Sequence, residues 1–185
     1  MKPNPSDLDK WKKNDKICVV VAKCDPPSLD LVRAADLAFS KGFSTVWLCP
    51  LYVDEEQENR ARLCGQVFCS EYYGATNKQL SFCSVLLDKK LGSLADLSSW
   101  LSTRLPFVKA STCMLSSERG SNDPDIVVSF RGQEDVKAKE VWVAGGFLQS
   151  PASLAERIRS GKDEHRWFLH GLWEFLIEKG LYRNK

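Results

Sequence analysis

Metal-binding material is scarce in this sequence: it has two histidines, and its seven cysteines form no Cys-x-x-Cys pair. Such a set argues against a zinc finger or ribbon, whose ligands come in closely spaced pairs, and no metal ligand is assigned. No stretch approaches the roughly 20 apolar residues that cross a bilayer, so no membrane span is expected. The opening residues, "MKPNPSDLDKWKKNDK", carry Pro, Asp and Lys where a secretory signal has its apolar segment, so no ordinary signal is expected either. Charge of one sign is also missing. The net charge is +2, and the densest basic cluster is Lys10, Lys12 and Lys13. A general affinity for nucleic acid or a membrane surface is therefore not expected.

What remains reads as a globular chain. Its 185 residues, 43% hydrophobic and 27% charged, suffice for one packed domain and are short for two. The cysteines at 18, 24, 49, 64, 69, 83 and 113 are odd in number and unpatterned, which predicts reduced thiols in the cytoplasm or a similar reducing compartment. Cys18, Cys49 and Cys83 sit inside apolar runs and read as small core residues.

Short apolar runs alternate with amphipathic stretches. Strands are expected at "ICVVVA" (17–22), "STVWLCPLY" (44–52), "LSFCSVLL" (80–87), "FVKASTCML" (107–115), "IVVSF" (126–130) and "EVWVAG" (140–145). Helices are expected over 28–42, with Leu31, Ala34, Ala35 and Ala38 on one face, over 54–74, and over 92–106 with Ser93 as N-cap. The tail offers two more, over 150–161 and 164–180. The first of these has two start signals, Ser150-Pro151 and the capping-box pattern Ser153…Glu156. Strands alternating with helices predict an α/β fold, a parallel sheet with helices on both faces.

Such sheets bind ligands beyond the carboxyl ends of their strands, beside helix N-termini. Two turns stand there: "AKCDPPSLD" after the first strand and "GGFLQSPAS" after the last. Taken singly, each also reads as an ordinary βα turn.

Together, in this order and spacing, they resemble the nicotinate/nicotinamide mononucleotide adenylyltransferases, which belong to the nucleotidylyltransferase group with a Rossmann-like fold. The family's first turn has the form G-G-T-F-D-P-P-H-x-G-H-L; here it is "VAKCDPPSLDL". "TVWLCP" is similar to the family's "VWFVP". "SLAERIRSGKDEHRWFLHGLWEFLIEKGLYR" is similar to its closing helices, which end in I-x-x-x-G-L-Y. The resemblance implies a nucleotidylyltransferase-like domain over residues 17–185, with 150–185 its C-terminal helical part and 1–16 an N-terminal extension. In that family ATP and Mg²⁺ supply an adenylyl group to a mononucleotide in NAD biosynthesis.

The same resemblance marks what is missing. The family's two turn histidines and the glycine between them fall on Ser28, Leu31 and Asp30. Ser28 can give one neutral hydrogen bond and Leu31 none, and losing one preorganised donor costs about 10²–10³ in rate. A carboxylate at Asp30 about 4 Å from a phosphate would repel it by about 4 kcal/mol at an effective dielectric near 20. Val21-Ala22 replaces the Gly-Gly. The family's I-S-S-T-x-x-R falls on Gln149, Ser150, Pro151, Ala152 and, at the Arg, Ala155. Arg157 and Arg159 follow nearby. The family's Gly-x-Asp is not found in "MLSSERGSNDPD". Lys23, Asp25, Ser28, Asp30, Ser150 and Arg157 are thus the nucleotide-binding candidates, with Ser28 and Leu31 at the catalytic positions. His165 and His170, far along the chain, read as structural.

Three functions stay open: a catalytically silent relative (a pseudoenzyme) that binds ATP or a mononucleotide, an active divergent enzyme, and an interaction subunit that keeps only the fold and binds another protein. The acidic "DEEQEN" and the loop 116–125 read as solvated edges or partner surfaces.

Overall fold

Asp-Pro-Pro and other breakers cut the apolar runs into short strands; β1, β2 and β3 are each followed by a helix, while the last three strands follow one another through loops. The computed structural model describes residues 16–133, 136–146 and 151–183. Along the chain come β1 (Lys16–Ala22), α1 (Leu29–Ser40), β2 (Thr45–Pro50), α2 (Glu55–Thr76), β3 (Leu80–Phe82) and α3 (Val85–Asp88). There follow α4 (Leu94–Arg104), β4 (Lys109–Leu115), β5 (Ile126–Phe130), β6 (Glu140–Ala144), α5 (Pro151–Arg159), a 3₁₀ turn (His165–Trp167) and α6 (His170–Glu178). The strands form one sheet in the order β3-β2-β1-β4-β5-β6, and every pairing is parallel.

β1 lies at the centre, with Val20 opposite Leu48 on one side and Cys113 on the other. Its side chains alternate between two cores. Cys18, Val20 and Ala22 join residues of α1, α2, α5 and α6, while Ile17, Val19 and Val21 join those of α3 and α4. Both faces are covered, so the run is apolar at every position instead of every second one. Each fully buried Val or Ile contributes about 1.5–3 kcal/mol. Ser28, Asp54 and Ser93 cap their helices, accepting from the N–H groups of Asp30 at 3.3 Å, Gln57 at 2.8 Å and Asp96 at 3.2 Å.

Three expectations need correction. The third strand spans Leu80–Phe82 and not 80–87. After Cys83 N–H reaches Leu48 O at 2.8 Å, the chain turns into α3, where Val85, Leu86 and Leu87 are all buried in one helical turn. A short continuous apolar run has no period that separates these outcomes. The segment 164–180 is not one helix. Phe168 is extended, buried and stacked on Trp173 at 5.6 Å, and α6 starts only at His170, where Gly171 N–H donates to Glu71 of α2 at 3.2 Å. Leu172 and Leu176 fill the core, as their spacing predicts. Lastly, α5 begins at Pro151, which suits proline's fixed φ at a first helical position and puts Ser153 inside the first turn rather than at the cap. Ser150 lies outside the described residues.

All seven cysteines are free and buried. Trp47 and Trp142 are buried, and Trp100, Trp167 and Trp173 pack half-buried against the two cores. His165 and His170 are exposed and lie away from the β1–α1 turn, beside Asp163 at 2.8 Å and Glu174 at 3.3 Å. Among the described residues no helix is long and apolar enough to cross a membrane.

Candidate functional site

The strand order reverses direction between β1 and β4, and crevices for ligands open at such a switch point. A cleft of about 290 Å³ lies there. The β1–α1 turn supplies Lys23 and Asp25, the residues after β2 supply Val53 and Asp54, α2 supplies Gln57 and Arg60, the β4–β5 loop supplies Ser117 and Glu118, and α5 supplies Ala152, Ala155 and Arg159.

Backbone contacts shape the floor. Gln57 is buried, and its amide nitrogen donates to Lys23 O at 2.7 Å and Leu51 O at 3.0 Å, while its amide oxygen accepts from Val53 N–H at 3.1 Å. One side chain thereby ties the exits of β1 and β2 together. Cys24, next in the turn, holds a left-handed φ of 55°, uncommon for a residue with a side chain.

Asp25 is the hub of a cluster at the side of the cleft. Arg60 donates to both its oxygens, each at 2.8 Å, and the Tyr182 hydroxyl donates to one of them. The guanidinium also lies 5.4 Å from the Tyr182 ring centroid. The Asp25 hydrogen bonds hold Arg60 still more firmly in its charged form, and burial pushes the Tyr182 phenol up, so it remains a donor. First turn, second helix and C-terminal tail are joined through one carboxylate.

Glu118 comes from the tight turn after β4, where its N–H donates to Leu115 O at 3.0 Å. Its side chain is nearly buried and accepts from Lys23 N–H at 3.2 Å. Burial pushes its carboxyl up to about 7, against the pull of the Lys23 N–H and ammonium, with the charge of Asp30 adding to the rise. Lys23 itself is exposed.

The residues singled out from sequence divide. Lys23 and Asp25 meet at the cleft; Ser28, Asp30, Leu31 and Arg157 are not in its lining. Ser28 is spent on its helix cap and is buried. Asp30 is 1% exposed, and its carboxylate takes a 2.8 Å hydrogen bond from Arg33. Leu31 lies in the core. Arg157 pairs with the buried Glu164 at 2.8 Å, and it is Arg159, two residues on, that borders the cleft. Gln57, Arg60, Glu118 and Tyr182 were not found from the sequence. Gln57 and Arg60 are the i and i+3 positions of an acidic helix start, a spacing that places both on one face. Nothing in "SSERGS" distinguishes Glu118 from a solvated loop acid.

Two roomier hollows lie elsewhere. One, of about 420 Å³, sits between α4 and β4 and holds a single carboxylate, Asp125, engaged by Thr112 and Lys139. The other, of about 530 Å³, lies at the β5–β6 edge. Neither borders the β1–α1 turn, where the charged groups converge.

No family model matches the sequence, and no curated protein matches it. Solved structures do resemble the chain. One, assigned as a nicotinate-nucleotide adenylyltransferase from Vibrio parahaemolyticus, is 16% identical with a TM-score of 0.66, over 92% of this chain and 97% of that one. Two others are of the Plasmodium falciparum nicotinic acid mononucleotide adenylyltransferase, complexed with APC and with NaAD. Each is 10% identical with a TM-score of 0.67, over 91% of this chain and 98% of that one. At such identities the likeness concerns architecture alone: this chain has the parallel sheet and flanking helices of a Rossmann-like nucleotidyltransferase fold.

Proposed function

We propose that this chain is a nucleotidyltransferase-like protein that binds a nucleotide or a nicotinamide mononucleotide at the switch-point cleft and has lost adenylyl transfer. One observation carries the reading: the three turn positions that would hold the catalysts and their glycine direct their side chains inward. Ser28 caps α1, Asp30 is held by Arg33 and Leu31 packs in the core. A transition state on the α-phosphorus of ATP needs donors aimed at its oxygens. Lys23 and Arg159 are the cations at the cleft besides Arg60, and Arg60 is already engaged by Asp25.

The residues present do not make a protein-held Mg²⁺ site. Asp25 accepts from Arg60 and Tyr182, Asp54 from Gln57 N–H, and Glu118 from Lys23 N–H. Among the described residues no three carboxylate, thiol or imidazole groups converge on a cation position. Mg²⁺ fits here as the counter-ion that ATP carries on its own phosphates.

A second reading, an active divergent enzyme, draws on Lys23 and Arg159 lining the same cleft. Pyrophosphate release from ATP and Mg²⁺, with nicotinate or nicotinamide mononucleotide as acceptor, separates the two. No release above background is expected at high protein concentration. Release that vanishes in Lys23→Ala would establish the second reading instead.

A further inference from the structure

The first backbone N–H beyond β1 at a switch point is a natural donor to a ligand phosphate. Here that N–H belongs to Lys23, and Glu118 has taken it, at 3.2 Å. We propose that Glu118 decides which charges the cleft accepts: its carboxylate occupies the anion subsite, and a phosphate-bearing ligand enters as that carboxylate is protonated or displaced. This inference rests on the nucleotide-binding reading above.

The surroundings single out Glu118. From the β1–α1 turn, Lys23 faces it with both its N–H and its ammonium, Asp25 is locked by Arg60, and the Cys24 thiol is pushed up by burial and then by the charge of Glu118, so it stays neutral. From α1, Asp30 faces it but is held by Arg33. From α2 come Asp54, which caps its own helix, and Arg60. From α5 comes Arg159, 3.6 Å from Glu156. On its own loop, Arg119 points to Asp123 at 3.6 Å and to Asn122 O at 3.0 Å. Glu118 is thus the carboxylate seated on the turn's N–H, and its burial puts its titration near neutrality. A phosphate arriving above that range must displace a like charge from the same donor. Below it, the carboxyl is neutral and its hold on the N–H weakens.

The test needs a probe of fixed charge. NAD, a diphosphate diester, keeps its two phosphate charges across neutral pH, and adenosine serves as an uncharged control. Affinity of the full chain for each is measured by calorimetry at about pH 6 and about pH 8.5. If binding requires the protonated carboxyl, NAD affinity falls about 30-fold over that range, for a group titrating at about 7, while adenosine affinity stays level. Glu118→Gln keeps the size and an acceptor without the charge. It flattens the NAD profile and binds NAD more tightly than the native chain at the higher pH.

The native series alone can overturn the proposal, whether or not the variant folds. Level NAD affinity in the native chain overturns the proposal and leaves the nucleotide-binding reading standing. A pH-dependent loss that persists in Glu118→Gln also overturns it. Absence of NAD and adenosine binding at both pH values sinks the nucleotide-binding reading and the proposal with it.

Discussion

Gln57 and Glu118 each make a single side chain serve backbone groups of a different segment, and the cleft depends on both. Gln57 satisfies three backbone groups of the β1 and β2 exits, of which the Leu51 carbonyl is buried. Glu118 satisfies one, at the cost of holding a carboxylate away from water. Its folded-state value near 7 lies above the ordinary 4.5, so between those values the folded chain holds more protons than the unfolded one. Stability therefore falls as pH rises through that window, by on the order of 3 kcal/mol in all. Glu118→Gln removes the slope. Melting curves of the two proteins should nearly coincide in relative position at about pH 5, with the variant ahead at about pH 8. A native melting temperature that does not decline relative to the variant would contradict the burial argument. Neither residue was legible in the sequence, because burial of a polar side chain is decided by what packs over it, and "DEEQEN" and "SSERGS" read as surface.

Elements were more legible than residues, for a physical reason. β1, β2, β5 and β6 announce themselves through β-branched apolar runs, α1 through a face of small residues and α4 through a leucine-rich face with its Ser93 cap. The errors fall where tertiary contacts override local pattern. β3 pairs with β2 alone and over three residues, so the chain gains more by burying Val85, Leu86 and Leu87 in a helical turn. α6 is cut short because Phe168 enters the core and Glu71 of α2 holds Gly171 N–H. The β3 edge also depends on close approach by α2 at Gly65, where a Cβ would stand 2.4 Å from the Phe82 ring. Gly65→Ala must push that ring aside, which should destabilise the fold by about 1–2 kcal/mol. A denaturant midpoint equal to that of the native chain would show that α2 and β3 have slack there.

For the molecule as a whole, the fold resembles that of solved nucleotidyltransferases, while the side chains of the first turn are engaged in internal contacts. The sequence pointed to this turn through Ser28, Asp30 and Leu31, but not to where those side chains go. A residue's type says which bonds it can make, and only the fold says which partners come within reach. Arg33 reaches Asp30, Arg60 reaches Asp25, and Lys23 N–H meets Glu118. On the reading proposed here, the contacts that hold the turn together are the ones that leave few donors for a ligand's reacting phosphate. Phosphorus NMR of ATP, Mg²⁺ and nicotinamide mononucleotide with stoichiometric protein tests this most directly, since it follows binding and chemistry in one sample. The account predicts ATP resonances that shift or broaden with added protein and no pyrophosphate signal; pyrophosphate appearing together with a dinucleotide diphosphate would contradict it.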